Sequence, residues 1–264
     1  MIVCVAGGLL GGWFIPSPIT APSSRLVDLI KQRGKLIVGT SADYPPFEFW
    51  NLTKIPNEIE GFDIDLSQLI ADALGVTLEM TDISFDALIG SCQAGTIDMI
   101  AAAMTYDPTT EVGQQRAKQL APSIPYISVA QVVIVVDSSP LTTIDSLDNL
   151  TGSGLNIGCQ SGTVMQAELA LISGITVTAF SSAILLIQDL VSGTGIDAAY
   201  VDEPIFDAWN ATYSLRVILT TGTDPLSLWC RHENPDLLYI INTAILDASV
   251  PNGTLFEIID KWFG

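Results

Sequence analysis

Apolar positions along the chain alternate between helical spacing and short continuous runs, which predicts helices alternating with strands. The helical spacing predicts helices at 25–33, 64–74, 85–93, 164–172 and 183–191. The short apolar runs predict strands at 35–40, 76–83, 97–103, 155–159, 176–180 and 197–201. Such alternation produces mainly parallel sheets with helices on both faces, so the chain is predicted to be an α/β protein.

The segments between and after these two series are predicted to connect two halves. Residues 107–111, Asp-Pro-Thr-Thr-Glu, combine a cap, a proline and an acidic residue, and they predict a helix that starts at Asp107. Further elements are predicted as strands at 127–136 and 226–231 and as helices at 235–248 and 253–262. Two strand-like connections between two series predict two lobes joined by a hinge.

The charge of the chain is one-sided, with 10 Lys and Arg against 29 Asp and Glu and a formal net charge of −19. Charged residues make up only 15% of the chain, so the acidic excess comes from scarce cations. A nucleic-acid binder needs cationic surface, and a protein held on anionic lipid needs a polybasic patch. Both classes are excluded, and 48% apolar residues exclude a long disordered chain.

The first 24 residues carry no charge and contain an apolar run at 2–15 followed by a Pro- and Ser-rich stretch. This pattern predicts a signal peptide or short membrane anchor with a linker, and a buried N-terminal strand is the alternative. The protein is therefore expected to be exported to an extracellular or periplasmic location, tethered through its N-terminus if the segment is retained. Lipidation of Cys4 is not predicted, because a lipoprotein motif would need a small residue at the position of Val3.

The four cysteines, Cys4, Cys92, Cys159 and Cys230, have no metal-like spacing, and the single His232 cannot complete a zinc site. The last three fall in helix and strand patterns, so they are expected to be small buried apolar residues. A disulfide stays open, and neither a metal nor another cofactor is expected.

Four asparagines begin Asn-x-Thr triplets, namely Asn51, Asn149, Asn210 and Asn252. The hypothesis is that the protein is N-glycosylated outside the cell, and coincidence is the alternative.

Short motifs spread over residues 35–264 carry a family resemblance. They are 38–49 (VGTSADYPPFEF), 61–66 (GFDIDL), 85–89 (FDALI), 95–98 (GTID), 104–105 (MT), 160–163 (QSGT), 197–202 (DAAYVD), and 234–238 (NPDLL) with 261–264 (KWFG). Taken in this order, they resemble the extracellular, periplasmic-type solute-binding proteins (family 3) of polar amino-acid ABC importers.

The resemblance implies the two-lobed, type II periplasmic-binding-protein fold, with a mainly parallel sheet in each lobe and a two-strand hinge. Lobe 1 would comprise 25–128 plus 222–264, and lobe 2 would comprise 129–221. The implied function is not enzymatic. A monomer would capture a small polar or neutral amino acid in the cleft and deliver it to a membrane ABC permease.

The resemblance also implies the residues that hold the ligand's charged ends. Asp202 matches the family residue that accepts hydrogen bonds from the ligand ammonium, and Thr105 and the Ala103 carbonyl would contact the same ammonium. The alternative role for Asp202 is to cap the helix at 203–210. Thr163 and Val164 match backbone donors to the carboxylate at a helix start.

The carboxylate-binding arginine departs from the family pattern, because its usual position, five residues after Thr105, holds the neutral Thr110. An insertion of about six residues between Tyr106 and Gln115 would bring Arg116 into that role. The alternative for Arg116 is a solvated charge on a helix.

The resemblance implies that the rings of Tyr44 and Phe85 sandwich the ligand. Ser41 stands where relatives that bind basic or amide side chains often carry Asp, which favours a neutral side chain, although Asp43 and Glu48 lie nearby. Gln160 would hydrogen-bond a polar side chain.

The alternative function is a secreted cyclohexadienyl dehydratase, which acts on prephenate or arogenate on the same scaffold. It would need a carboxyl group in the cleft as general acid, and Glu203, Glu48 or Asp43 are the candidates.

Overall fold

The computed structural model describes residues 25–250 and 253–264, so the predicted N-terminal signal or anchor, with Cys4, and Asn252 lie outside the described residues. The described helices are α1 (Leu26–Arg33), α2 (Phe62–Leu74), α3 (Leu88–Ala94), α4 (Glu111–Gln119), α5 (Val164–Leu169), α6 (Ala183–Ser192), α7 (Glu203–Asn210), α8 (Pro235–Ala248) and α9 (Thr254–Phe263), with 3₁₀ turns at Phe85–Ala87 and Leu147–Leu150. The described strands are β1 (Lys35–Thr40), β2 (Asp43–Tyr44), β3 (Glu48–Asn51), β4 (Glu58–Glu60), β5 (Thr77–Asp82), β6 (Met99–Ile100), β7 (Ala121–Pro122), β8 (Ile127–Val136), β9 (Asn156–Gln160), β10 (Thr176–Phe180), β11 (Ala198–Asp202), β12 (Leu215–Leu226) and β13 (Trp229–Cys230).

The first five-stranded sheet has the order β5-β1-β6-β13-β7. Strands β5, β1 and β6 run parallel, whereas β13 runs antiparallel to β6 and β7. Helices α1 to α4, α8 and α9 pack around this sheet, and we call this unit lobe 1. Fully buried side chains such as Leu66 on α2 and Leu88 on α3 cover its two faces, because helical spacing places their apolar stripes toward the sheet.

The second five-stranded sheet has the order β10-β9-β11-β8-β12, in which β10, β9 and β11 are parallel and β8 is antiparallel to both neighbours. Helices α5, α6 and α7 pack on it, and we call this unit lobe 2. The predicted fold class, a two-lobed α/β fold with helices flanking each sheet, is confirmed. The two large sheets are mixed, since each has two parallel and two antiparallel strand pairs.

Strands β8 and β12 are the connections between the lobes. They pair along almost their whole length, with a register shift between Thr220 and Thr223 that leaves the backbone irregular opposite Gln131. The predicted lobe boundaries, 128/129 and 221/222, both fall within these strands and stay a prediction.

A small third sheet, β2-β3-β4, lies against α2 on lobe 1 and supplies two residues to the cleft, Tyr44 and Glu48. The ring of Phe47 packs against the rings of Phe62 and Phe263, which fixes this sheet to α2 and α9.

Three sequence predictions that bear on the cleft were wrong in their bounds. The second connection between the lobes, predicted at 226–231, is instead β12, and within that range only Leu226 and β13 are in strands. Helix α4 starts at Glu111 because Thr110 caps it, accepting a hydrogen bond from the Gly113 N–H, whereas Asp107 makes a local turn by accepting from the Thr109 N–H. The predicted strand 97–103 is reduced to β6, because the chain leaves the sheet to line the cleft.

Cys92, Cys159 and Cys230 are buried in α3, β9 and β13, as predicted, and all three are free. Asn149 and Asn210 are exposed, and glycosylation stays a prediction. In the part of the chain that the structure describes, no helix is both long and apolar enough to span a membrane.

Candidate ligand-binding site

A cavity lies between the two lobes, where several strands end. All ten predicted site residues line it: Ser41, Tyr44, Phe85, Ala103, Thr105, Arg116, Gln160, Thr163, Val164 and Asp202. Glu48, Ala102 and Met165 line it as well, and the sequence prediction missed them as ligand-binding residues. Ends of neighbouring parallel strands converge at such a crevice, which explains why residues far apart in sequence meet here.

Asp202 is the last residue of β11 and is buried at the cavity wall. The Tyr44 hydroxyl, from lobe 1, donates to Asp202 Oδ2 at 2.9 Å, while Oδ1 has no hydrogen-bond partner among the described residues. The side chain does not cap α7, so that alternative was wrong. Burial raises the pKa of Asp202 to about 7, although the hydrogen bond from Tyr44 opposes the shift.

Arg116 on α4 is only 4% exposed, so the alternative of a solvated helix charge was wrong. Its Nη1 donates to the Thr105 carbonyl at 2.8 Å, and its Nη2 donates to the Gly162 carbonyl of lobe 2 at 2.9 Å. The guanidinium also lies over the Phe85 ring, 5.7 Å from its centroid. Burial lowers the pKa of Arg116 to about 10, so it stays cationic at neutral pH.

Ala103 adopts a left-handed backbone conformation with φ of 44°, which is costly for a residue other than glycine. Its N–H donates to Asp63 Oδ2 at 2.8 Å, and the Tyr126 hydroxyl donates to the same oxygen at 3.0 Å. Asp63 is buried, which raises its pKa to about 7. These two side chains hold the backbone that presents the Ala103 carbonyl. The sequence analysis did not name Asp63 as a functional residue. The signal that could have identified it is its place as the third residue of the GFDIDL motif at 61–66.

Thr163 caps α5: its Oγ1 accepts from the Gln166 N–H at 3.3 Å and donates to the Gln160 carbonyl at 2.7 Å. The N–H groups of Thr163 and Val164 therefore stand before or in the first helical turn, where the helix offers them no partner. Because α5 has only six residues, direct hydrogen bonds matter more here than its dipole.

Of the three residues predicted as general acids for the alternative enzyme, Glu48 lines the cavity. Asp43 does not line it, so that candidate was wrong. It accepts from the Ser41 hydroxyl at 3.1 Å and from the Ala183 N–H of lobe 2 at 2.8 Å, so both its oxygens have partners. Glu48 is 1% exposed, and burial with neighbouring like charges raises its pKa well above its usual range. Glu203, a candidate general acid, is exposed and does not line the cavity, so that candidate was wrong.

The residues that the structure describes hold no cluster of three or more His, Cys, Asp or Glu side chains arranged for a metal ion.

Known proteins resemble this chain over most of its length. A family model described as bacterial extracellular solute-binding proteins, family 3, matches residues 36–264. The L-cystine-binding protein TcyJ of Escherichia coli (strain K12) is 28% identical over 245 residues, which cover 90% of this chain and 86% of the relative. The ABC transporter arginine-binding protein 1 of the same organism is 30% identical, with 87% of this chain and 90% of the relative covered.

Among solved structures, the ancestral amino acid-binding protein AncCDT-1, a precursor of cyclohexadienyl dehydratase, superposes with a TM-score of 0.80 at 30% identity. The match covers 90% of this chain and 100% of that structure.

Proposed function

The chain belongs to the bacterial extracellular solute-binding proteins of family 3, and from this premise we propose that it captures a free amino acid between its lobes and delivers it to an ABC transporter permease. The observation that carries the proposal is that the buried side chains of Asp202 and Arg116 line the same cavity. A free amino acid presents an ammonium and a carboxylate on the same carbon, so it needs an anion and a cation in one site.

Asp202 Oδ1 is proposed to accept from the ligand ammonium, because it is buried without a partner. The Thr105 hydroxyl and the Ala103 carbonyl would complete the ammonium site. Each charge-assisted hydrogen bond contributes about 1.5–3 kcal/mol, whereas a buried charge left unpaired costs more than that.

Arg116 is proposed to bind the ligand carboxylate together with the N–H groups of Thr163 and Val164. The guanidinium bonds to neutral carbonyls, which are weaker acceptors than a carboxylate, so exchange for the ligand is favourable. The rings of Tyr44 and Phe85 would enclose the ligand. Together these contacts can supply the roughly 8 kcal/mol that micromolar affinity requires.

The rest of the proposal concerns the setting of this site. The protein is exported, works as a monomer, and closes its lobes over the ligand by bending at β8 and β12. Gln160 is proposed to hydrogen-bond a polar side chain of the ligand, and Ser41 favours a neutral side chain.

Isothermal titration calorimetry of ligand-free protein with each common amino acid tests the proposal. One or a few should bind with 1:1 stoichiometry, and Asp202→Asn should weaken binding by more than tenfold. Asp207→Asn, the same change at an exposed position of α7, should leave affinity unchanged. Absence of heat from every amino acid would refute the proposal.

The dehydratase is kept as a second candidate because Glu48 is a buried carboxyl in the cavity whose raised pKa suits a general acid. Incubation with prephenate and detection of phenylpyruvate by its absorbance separates the two functions. Turnover that is lost in Glu48→Gln would establish the enzyme.

A further inference from the structure

Helix α4 packs against the apolar interior of both lobes. Ala117, in its second half, packs against the lobe 1 cluster that contains Trp229. Val112, in its first turn, packs instead against the lobe 2 cluster that contains Val164 and Met165. Among the described residues, Val112 is the one member of that cluster that comes from lobe 1. The start of α4 therefore reaches across the cleft.

The segment that leads to Val112 departs from the family spacing. Arg116 follows Thr105 by 11 positions, which is longer than the family spacing, and the extra residues come after Tyr106. The N–H of Tyr106 donates to the Pro225 carbonyl on β12, one of the two strands that connect the lobes. The lengthened segment thus begins beside a connecting strand and ends with Val112 against lobe 2.

This segment is folded back on the first turn of α4. The Asp107 side chain accepts from the N–H and the hydroxyl of Thr109, both at 2.7 Å. The Thr110 hydroxyl donates to the Asp107 carbonyl at 3.0 Å. Gly113 lies so close to the same carbonyl that an added Cβ would be 1.9 Å from its oxygen. These contacts fix the direction in which the Val112 side chain leaves the helix.

Val112 lies on the same face of α4 as Arg116, because residues four apart in an α-helix lie one above the other. Arg116 Nη2 donates to the Gly162 carbonyl of lobe 2 from that face. Val112 also lines, with Val164 and Ala167 of α5, a hollow between the two helices, and Arg116 lines both this hollow and the ligand cavity. Contact of Val112 with lobe 2 therefore holds Arg116 at the wall of the ligand cavity.

We propose that Val112 is a positioning residue for the carboxylate site, which packs on lobe 2 when the lobes close and so holds Arg116 over the ligand. This inference rests on the proposed function. Val112 is not among the described residues that line the ligand cavity, so it acts through the closed conformation and not through contact with the ligand. Its apolar contact must break before the lobes open, and it therefore slows ligand dissociation.

The test uses the common L-amino acid that binds the wild type most tightly in the calorimetric titrations. Val112→Ala should raise the dissociation rate constant, measured by stopped-flow displacement, about five- to tenfold and change the association rate constant by less than about twofold. Val112→Ile keeps the apolar contact and should dissociate within about threefold of the wild-type rate. Val191→Ala, the same truncation at an exposed position of α6, should leave the rate unchanged.

Val112→Thr keeps the volume of the side chain and replaces a methyl group with a hydroxyl group. It should raise the dissociation rate in the same way, and it tests the inference if the alanine variant is unstable.

Melting temperatures separate positioning from a general structural role. Without ligand, Val112→Ala should melt within about 1 °C of the wild type, whereas at the same ligand concentration it should gain less stability than the wild type. An unchanged dissociation rate, or equal losses of melting temperature with and without ligand, would overturn the inference and leave the proposed function standing. Failure of the wild type to bind any amino acid would overturn both.

Discussion

At the residue scale, the geometry of the cavity depends on side chains behind it. Asp63 holds the left-handed backbone of Ala103, and Tyr126 donates to the same carboxyl oxygen. Both side chains are buried, so removal of one partner leaves the other short of a hydrogen bond in an environment without water.

Tyr126→Phe removes one of the two donors to Asp63 and should lower the free energy of unfolding by about 1–3 kcal/mol. It should also raise the pKa of Asp63 further, because the Tyr126 hydrogen bond favours the ionised form. Urea denaturation at neutral pH measures the effect. Tyr239→Phe, at an exposed site on α8, should change stability by less than about 0.5 kcal/mol. Equal losses in the two variants would contradict the structural role of Tyr126.

Arg116→Lys tests whether charge or fork geometry matters in the carboxylate site. A lysine ammonium cannot donate to the Thr105 and Gly162 carbonyls as a planar fork, nor stack on the Phe85 ring in the same way. Ligand affinity should therefore fall by more than tenfold although the charge is kept. Lys118→Arg, at an exposed position of α4, is the matched control. Undiminished affinity in Arg116→Lys would remove Arg116 from the site.

At the element scale, the start of α2 holds the loop that carries Glu48 into the cleft. Gly61 has φ of 142°, and a Cβ placed there would lie 2.1 Å from the Phe47 carbonyl oxygen. The two following N–H groups donate to the Pro46 and Phe47 carbonyls, which ties α2 to the loop that carries Glu48.

Gly61→Ala should therefore cost about 3 kcal/mol or more in the free energy of unfolding, because both the backbone conformation and the contact become strained. Gly90→Ala is the control: it lies on the exposed face of α3 with nothing within 4 Å of the added Cβ. That change should stabilise the protein by up to about 1 kcal/mol. Thermal and urea unfolding measure both, and a tolerated Gly61→Ala would contradict this account of α2.

Strands with a continuous run of apolar residues could be predicted from the sequence, whereas strands whose apolar run is interrupted could not. Strand β8 was predicted with its observed bounds because its apolar residues form one uninterrupted stretch. Strand β12, at the edge of the second sheet, was missed because Thr, Gly, Asp and Pro interrupt it, and its pairing with β8 overrides their poor strand propensity.

The lining of the cavity was largely predictable from the resemblance, but Glu48 was named only as a candidate acid of the alternative enzyme and not as a ligand-binding residue. Glu48 lies between Phe47 and Phe49, where alternation along a strand would place a charged residue in water. The structure buries it because a second lobe covers that face, and no local pattern carries this information.

At the scale of the whole molecule, the net charge of −19 opposes compaction, since the ten cations neutralise only a third of the acidic side chains. Salt should therefore stabilise the protein, because the Debye length falls from about 10 Å at 0.1 M to about 3 Å at 1 M. The melting temperature should rise by several degrees over this range of NaCl at pH 7.5. The rise should shrink at pH 4.5, where carboxyl groups take up protons. A fall in melting temperature with salt would contradict this expectation.

Buried carboxyl groups couple the whole molecule to pH. Burial raises the pKa of Asp63 and Asp202 to about 7 and of Asp224 to about 6, above the unfolded value near 4. The folded state thus binds more protons than the unfolded state between about pH 4 and pH 7. The stability that protonation of these groups contributes is complete below pH 4 and is lost as pH rises toward 7, so the ligand-free protein should unfold more easily at pH 7 than at pH 5.

Ligand affinity should follow the opposite trend, because only ionised Asp202 attracts an ammonium. Below the pKa of about 7, binding must remove a proton from Asp202, so affinity should rise by up to about tenfold per pH unit from pH 5 and level off above pH 7. Calorimetry near pH 6 in two buffers of different ionisation enthalpy should detect proton release on binding. Asp202→Asn should remove this residue's share of the pH dependence along with most of the affinity.

Because ligand binds the folded state alone, saturating ligand should also cancel part of the stability lost between pH 5 and pH 7, which a melting curve at each pH would reveal.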